Sequence, residues 1–347
     1  MPAPDHRIPV TIVTGFLGSG KTTLLRRLLG ARGVSNVAVI VNEVAEVGID
    51  QKLLAPFTDD VQLLENGCIC CAVREDLRKC LAGLLDRAAA GAISHLLIET
   101  TGLADPTPIL DTFASDSMLR FHFRIGGVVA AVDCVNAPSQ LRSFRESTNQ
   151  VAAADLVVLT KTDLANDEAV AGAIDAVTRL NPAVPIVRGT IGDDALASEL
   201  LRDPAAALDD AARFLRLVAA NLPATRLYAG DRGALKGGPH EPSVTSFCIA
   251  VDGAFDWSAF AVWLTMLLHT HGDGVLRVKG ILNVAGSATP VLINGVHRLV
   301  HQPEHLARWP DDDRRSVLVF IVAGLDTDSI RRSFSAFVSS SPRAVTS

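Results

Sequence analysis

The fold of this chain follows from one stretch of its sequence, Gly15-Phe-Leu-Gly-Ser-Gly-Lys-Thr22. The stretch matches the pattern G-x-x-x-x-G-K-[ST], in which glycines let backbone N–H groups surround phosphate oxygens at the start of a helix. The segment before it, Ile8–Thr14, is apolar like a buried strand, and Thr22–Leu29 after it has a helical composition. The sequence therefore predicts a phosphate-binding loop between a strand and a helix.

The side chains of this loop have separate expected roles. We expect Lys21 to act in catalysis by reaching the β- and γ-phosphates, and the Thr22 hydroxyl to coordinate Mg²⁺. The residues expected to bind the nucleotide here are Gly15, Gly18, Ser19, Gly20, Lys21, Thr22 and Thr23.

Around this loop, short apolar runs alternate with helical stretches over the first two-thirds of the chain. This alternation is typical of a parallel sheet with helices on both faces. The sequence predicts the α/β fold of a P-loop NTPase, followed by a smaller α+β C-terminal domain. The strands predicted for the first part are Ile8–Thr14, Val37–Val41, Val61–Leu64, His95–Glu99, Gly127–Asp133, Asp155–Thr160 and Val184–Val187.

Four segments are predicted along the chain. Residues 1–225 form the nucleotide domain, and 226–242 form a linker because glycines, prolines and charges are concentrated there. Residues 243–338 form the smaller domain, and 339–347 form a flexible serine-rich tail.

Composition narrows the class of partner. A net charge of −6 over 347 residues argues against a general nucleic-acid binder, which usually has a basic face. The chain shows no secretory signal and no apolar stretch long enough for a bilayer, so we expect a cytoplasmic protein that binds neither nucleic acid nor membrane.

Two further segments lie where a nucleotide site needs them. Glu99 ends an apolar strand, where it is expected to orient water or to hold Mg²⁺ through water, and the Gly102 N–H is expected to contact the γ-phosphate. Thr160-Lys-Thr-Asp163 follows another apolar strand and resembles the base-binding motif of GTPases. Asp163 has two acceptor oxygens that match the paired N–H donors of guanine, and the Lys161 stem can lie along the base. Thr160 replaces the usual Asn, which leaves adenine as the alternative.

A cluster of thiols suggests metal chemistry. Cys68, Cys70 and Cys71 bring three soft ligands together before a predicted helix, which favours zinc, copper(I) or cobalt. From the residues alone, redox chemistry and inert packing remain alternatives. Glu43 and Glu46 follow the second strand, where a switch loop can touch Mg²⁺ or a second metal; a solvated loop is the alternative.

Together these residues resemble the CobW-type P-loop GTPases (the CobW/HypB/UreG group), a family associated with metallochaperones. The similarity extends over nearly the whole chain, because it also includes two stretches of the second domain. The matching stretches are Thr14–Leu25, Asn42-Glu43, Glu46–Asp50, Glu65–Cys71, Glu99–Pro106, Thr160–Asp163, Leu276–Leu282 and Trp309–Ser316.

The resemblance implies Mg²⁺-dependent GTP hydrolysis coupled to delivery of a transition metal, zinc or cobalt, to a client metalloprotein. It implies that the three cysteines are metal ligands and that Thr160 is compatible with guanine. Glu46 is a further candidate metal ligand because of its position after the second strand. It leaves open a homodimer that depends on nucleotide or metal. Many members have a histidine-rich stretch between the domains, whereas this linker offers only His240, which argues against metal storage.

Two other functions compete with this one. The first is a nucleotide-gated activator of a metalloenzyme that does not itself carry metal. The second is an ATP-dependent kinase, against which the guanine-binding Asp163 argues.

Overall fold

The structure, a computed structural model, describes residues 6–42, 61–64, 72–201, 207–221, 232–235 and 244–339. Contacts between Cα atoms divide the chain into two units. The first unit is Met1–Asp175 with Ile186–Pro204, and the second is Ala176–Pro185 with Ala205–Ser347.

The first unit contains a parallel sheet. In the described residues the sheet has seven strands in the order β3-β2-β4-β1-β5-β6-β7, and each neighbouring pair is parallel. The strands are β1 Ile8–Thr14, β2 Val37–Asn42, β3 Val61–Leu64, β4 His95–Glu99, β5 Phe123–Asp133, β6 Leu156–Thr160 and β7 Ile186–Arg188. The first strand is central, with β4 on one side and β5 on the other, so the loop after β1 opens at the middle of the sheet's carboxyl edge.

Helices cover the sheet of the first unit. They are α1 Lys21–Leu29, α2 Ala72–Ala89, α3 Thr107–Ser115, α4 Ser117–His122, α5 Ala137–Ser143, α6 Arg145–Ala153, α7 Asp167–Leu180, which crosses the division between the units, and α8 Asp193–Leu200. Leucines of α1 and α8 pack with valines of β1, β2 and β6 in one buried cluster. Alternate residues of β1, such as Val10 and Ile12, are also fully buried, as expected for strands covered on both faces.

The second unit contains an antiparallel sheet. Its order in the described residues is β12-β11-β10-β14-β9-β8, with β13 paired to β11. The strands are β8 Arg232–Leu235, β9 Val244–Val251, β10 Val275–Leu282, β11 Val291–Val296, β12 Leu299–Val300, β13 Glu304–His305 and β14 Ser316–Ala323, and the helices are α9 Ala207–Asn221, α10 Trp257–His271 and α11 Thr327–Ser339.

Each face of this second sheet has its own core. One face packs against α10 and α11 through residues such as Phe260, Trp263 and Phe334, and the rings of Phe247 and Phe320 stack there with centroids 5.3 Å apart. The opposite face packs against α9 through Ala211, Phe214 and Val218.

The predicted fold class is confirmed, and each predicted strand of the first unit is present. Three strands have the predicted bounds, and the other four differ at one or both ends. Helix α9 belongs to the second unit. The boundary predicted from the sequence, at residue 225, places it in the first segment instead. The physical reason is the apolar face of α9, which packs on Cys248, Ala250 and Val319. Strand β8 lies inside the predicted linker 226–242, where its backbone pairs with β9. None of the helices within the described ranges is long and apolar enough to span a bilayer.

Candidate functional site

The phosphate loop turns sharply between β1 and α1. Gly15 has φ 143°, and a Cβ there would collide with the Ala131 carbonyl oxygen and lie 2.7 Å from Ser19 Oγ. Gly18 and Gly20 also have positive φ, at 69° and 86°. Only glycine adopts such backbone conformations freely, so the sequence pattern and the observed turn agree.

Lys21 lies over the loop that precedes it. Its Nζ donates hydrogen bonds to the Gly15 carbonyl at 3.0 Å and to the Phe16 carbonyl at 3.4 Å, and the residue is only 9% exposed. These bonds hold a positive charge at the loop, where a phosphate group would be attracted to it. The hydroxyl of Ser19, in the same loop, is buried and forms no hydrogen bond in the part of the chain that the structure describes. A buried hydroxyl without a hydrogen-bond partner is consistent with a loop that binds an oxygen-rich ligand.

A hydroxyl and a carboxylate meet beside the loop. The Thr22 hydroxyl donates a 3.0 Å hydrogen bond to Glu99 Oε1, and Glu99 is only 3% exposed at the end of β4. The neighbouring pair, Thr100 and Thr14, share a 3.0 Å hydrogen bond that joins β4 to β1. Hydroxyl and carboxylate oxygens are hard ligands that suit Mg²⁺, so this donor set fits the expected cofactor.

Gly102 lies against the phosphate loop. A Cβ on it would lie 2.7 Å from the backbone nitrogen and Cα of Leu17, so a side chain could not be accommodated. The carbonyl groups of Gly102 and Ala104 accept hydrogen bonds from Gln150 of α6, at 3.1 and 3.0 Å. Gly102, whose N–H is predicted to contact the γ-phosphate, is thus held on one side by Leu17 and on the other by Gln150.

The Thr160 side chain connects β6 to the phosphate loop. Its hydroxyl donates to the Ser19 carbonyl at 2.6 Å and to the Val132 carbonyl at 3.2 Å. In this arrangement the hydroxyl proton is engaged by the protein backbone. Direct contact of Thr160 with a nucleotide stays a prediction.

Lys161 and Asp163 occupy the outer part of the site. Lys161 has a left-handed backbone, with φ 55°, and its Nζ forms a 2.9 Å ion pair with Asp133 Oδ2 at the end of β5. Asp133 is 2% exposed; burial acts to raise the pKa of its carboxyl, but hydrogen bonds from Lys161, Asn136 and the Val135 N–H outweigh it and lower the pKa. Asp163 is exposed, so a ligand can reach its carboxylate. Its contact with a guanine base stays a prediction.

Three residues that hold parts of this site were not predicted from the sequence. Asp133 ends an apolar strand in the same way as Glu99, and that shared position could have identified it. Gln150 lies in a polar run that gives no sign of burial. Arg27 of α1 holds the loop after β7, donating to the Ile191 carbonyl at 2.7 Å, to the Gly189 carbonyl and to Asp193; this pairing spans more than 160 residues and has no local signal.

Other predicted site residues lie outside the described residues, namely Glu43, Glu46, Cys68, Cys70 and Cys71. Across the described ranges, no group of three or more His, Cys, Asp or Glu side chains is arranged to hold a metal ion together. His269 and His271 at the end of α10, and His297, His301 and His305 near β12 and β13, therefore form no such group.

The phosphate loop follows the central strand of a parallel sheet and begins a helix, with Glu99 ending the adjacent strand. This arrangement defines the class of P-loop nucleoside triphosphatases. Residues 9–188 match the family described as CobW/HypB/UreG, nucleotide-binding domain, and residues 244–338 match the Cobalamin synthesis protein cobW C-terminal domain. The chain belongs to the CobW/HypB/UreG family.

Several relatives carry names that refer to zinc. The chain is 34% identical over 329 residues to "Zinc chaperone YjiA" of Escherichia coli (strain K12), which covers 94% of this chain and 98% of YjiA. It is 35% identical over 201 residues to "Zinc-regulated GTPase metalloprotein activator 1" of Schizosaccharomyces pombe, covering 56% of this chain and 48% of that protein. The crystal structure of Zn(II)-bound YjiA GTPase from E. coli has a TM-score of 0.64 and 30% identity, covering 95% of this chain and 99% of that one.

Proposed function

We propose that this protein is a Mg²⁺-dependent GTPase that couples GTP binding and hydrolysis to the delivery of a transition metal, zinc in the first place, to a client protein. The observation that carries the GTPase part is the hydrogen bond from Thr22 to the buried Glu99, beside the lysine of the phosphate loop. The metal part is supported by the names of two relatives that are 34% and 35% identical to this chain over 329 and 201 residues.

In hydrolysis, a water oxygen forms a bond to the γ-phosphorus while the bond from that phosphorus to the β–γ bridging oxygen breaks, which leaves GDP and phosphate. Lys21 stabilises negative charge on the transferring group, and the Gly102 N–H contacts its equatorial oxygen. Glu99 orients the attacking water, and its carboxylate accepts the hydrogen bond that the Thr22 hydroxyl donates. The protons of the attacking water pass to the phosphate product and to solvent. Thr22 and Glu99 would hold Mg²⁺, directly or through water, and the ion supplies charge stabilisation to the phosphates when bound.

Asp163 is proposed to select guanine. An exposed carboxylate beside the strand end can accept both N–H donors of guanine, and adenine does not present that pair. The ion pair of Lys161 with Asp133 keeps the lysine stem in place along the expected position of the base.

The metal is proposed as cargo on the thiolates of Cys68, Cys70 and Cys71, with Glu46 as a further ligand. Soft thiolates suit zinc, and cobalt is the second candidate. Glu46 follows β2 and the cysteines follow β3 in sequence, and β2 and β3 run parallel to the strands of the phosphate site. The shared direction of these strands supports coupling between nucleotide and metal. A homodimer dependent on nucleotide or metal and a cytoplasmic location stay predictions.

The test measures zinc and cobalt affinity with GTP, with GDP and without nucleotide, together with GTP turnover in stoichiometric Zn²⁺, Co²⁺, Fe²⁺, Ni²⁺ or Cu⁺. We expect zinc affinity to differ between the GTP and GDP states by at least about fivefold, the lower end of ordinary coupling between sites. Equal affinities in all three states would disprove the coupling. The triple Cys→Ser variant at 68, 70 and 71 should lose the metal while it keeps GTP binding.

A metalloprotein activator that carries no metal is the second candidate. The name of the Schizosaccharomyces pombe relative supports activation of a metalloprotein. This candidate predicts that the wild type and the triple Cys→Ser variant have the same metal content, because the cysteines then carry no metal. The same variant therefore separates the two functions.

A further inference from the structure

Gln150 of α6 is a polar side chain buried beside the loop that follows β4. It is only 1% exposed, and its amide nitrogen donates to the carbonyl oxygens of Gly102 at 3.1 Å and Ala104 at 3.0 Å. Both partners are acceptors only, so the amide must present its NH₂ group to them. The direction of the amide is therefore fixed by its neighbours.

The second contact of Gly102 is with the phosphate loop. The Leu17 backbone fills the space that a Cβ of Gly102 would need, so the glycine lies close between Leu17 and the Gln150 amide. A glycine lacks the side chain that restricts backbone rotation in other residues. Holding its carbonyl from α6 orients the peptide group that follows Gly102, and the Leu17 backbone limits the rotation of Gly102 on its other side. Together the two contacts restrict the direction of the Gly102 N–H.

Helix α6 has two further contacts with the same region. The side chain of Asn149 donates to Asp105 at 2.9 Å, which ties the end of the loop after β4 to the helix. The ring of Phe144, which immediately precedes α6, packs on the ring of Phe16 with centroids 4.6 Å apart. The helix is thus connected to the phosphate loop and to the Gly102 loop at once.

We propose that Gln150 is a positioning residue that fixes the Gly102 N–H for contact with the γ-phosphate, and through it lets α6 distinguish GTP from GDP. The proposal rests on the proposed function, in which Gly102 contacts the γ-phosphate. Gln150 does not touch the nucleotide and acts only through Gly102. Because GDP lacks the γ-phosphate, loss of the positioning should weaken GTP and spare GDP.

Two substitutions at this position test the donor role. Gln150→Glu keeps the size of the side chain but turns a carboxylate toward two carbonyl oxygens, where it repels them. Gln150→Met keeps the length and removes the donors without adding charge. Thr148→Val is the matched control: Thr148 is buried on the same helix and donates to the Leu141 carbonyl at 3.0 Å, away from the Gly102 loop.

The experiment measures the dissociation constants of GDP and of a non-hydrolysable GTP analogue, and the kcat and KM of GTP turnover, on the full chain with Mg²⁺. For Gln150→Glu and Gln150→Met we expect GTP-analogue affinity and kcat to fall about tenfold while GDP affinity changes less than about twofold, the size expected for lost hydrogen bonds. For Thr148→Val we expect the ratio of GTP to GDP affinity to match the wild type.

If the ratio of GTP-analogue to GDP affinity in the Gln150 variants is the same as in the wild type, whether both affinities fall equally or neither changes, the positioning role is overturned. Gln150→Met is the less disruptive variant and decides the result if Gln150→Glu does not fold, with GDP binding as the check of folding. Wild-type protein that neither binds nor hydrolyses GTP would instead disprove the proposed function, because the wild type retains Gln150.

Discussion

At the phosphate end of the site Lys21, Glu99 and Thr100 are 9%, 3% and 1% exposed, whereas at the base end Asp163 is exposed and Leu164 is 72% exposed. The phosphate end is crossed by side-chain hydrogen bonds between β1, α1 and β4. At the base end, the ion pair between Lys161 and Asp133 has one buried and one half-exposed member.

This difference in burial indicates separate functions for the two ends, action on the phosphates at one and selection of the base at the other. Charges in a buried, hydrogen-bonded setting act strongly on a reacting phosphate because water does not screen them. An exposed carboxylate is screened until a ligand covers it, so we expect Asp163 to contribute to selectivity more than to rate. Substitutions at the two ends should consequently change different constants.

The largest effect is expected from Lys21→Met. The variant loses a charge that stabilises the transferring phosphoryl group, so kcat/KM for GTP should fall by roughly 10³-fold. Steady-state release of phosphate checks this value. Lys79→Met removes an exposed lysine of α2 and is the control, with turnover near the wild type; a similar loss in both variants would contradict the special role of Lys21.

Glu99→Gln should have the next largest effect. The amide keeps the size of the side chain and an acceptor for the Thr22 hydroxyl, but it loses the charge that holds Mg²⁺ and water. We expect kcat to fall about 10²-fold with GDP affinity within about threefold of the wild type. Single-turnover kinetics measure the chemical step, and Glu168→Gln, in the exposed first turn of α7, is the control. An unchanged single-turnover rate would remove Glu99 from the catalytic group.

Asp163→Asn addresses the base end. An Asn has one donor and one acceptor, which matches the edge of xanthine better than that of guanine. We expect GTP affinity to fall by roughly 10- to 100-fold and xanthosine triphosphate affinity to rise, with kcat changed little once the site is filled. Competition binding with the two nucleotides measures the switch, and Asp167→Asn is the control. A fall in kcat with unchanged GTP affinity would contradict the claim that the base end acts on nucleotide affinity rather than on rate.

The smallest effect concerns Asp133. The pKa of its carboxyl is lowered from 3.8, so its contribution to stability is complete above that value and is lost as the pH falls toward the lowered pKa. Because Lys161 is half-exposed, this contribution should be below about 1 kcal/mol. The unfolding free energies of the wild type and of Asp133→Asn should therefore differ by a constant amount near neutral pH and converge below about pH 4. Denaturant unfolding across this range checks it, and a difference that grows in acid would contradict it.

The two ends also differ in how far the sequence predicts them. Lys21, Thr22 and Glu99 follow from local patterns, because a loop pattern and a strand end place them without knowledge of the rest of the chain. Thr160 and Lys161 were correctly placed at the end of β6, but their bonds to Ser19 and Asp133 join segments 141 and 28 residues apart. Such pairings depend on which strands become neighbours, and one sequence does not specify that order.

The same reason explains which features of the fold cannot be read from local sequence. The amphipathic helix Ala207–Asn221 could cover either sheet by its sequence, and its place is decided by the apolar face that the second sheet presents. The helices between Thr107 and Ala153 are short, and Gln150 becomes a buried donor only because α6 packs beside the loop after β4.

Turnover of GTP and of ATP by the wild-type protein, with Mg²⁺ and with the ion removed by a chelator, tests the central claim most directly. We predict that GTP is hydrolysed only with Mg²⁺ and that its kcat/KM exceeds that of ATP by about 100-fold, the value of two charge-assisted hydrogen bonds to the base. Equal turnover of both nucleotides, or turnover that survives removal of Mg²⁺, would contradict it.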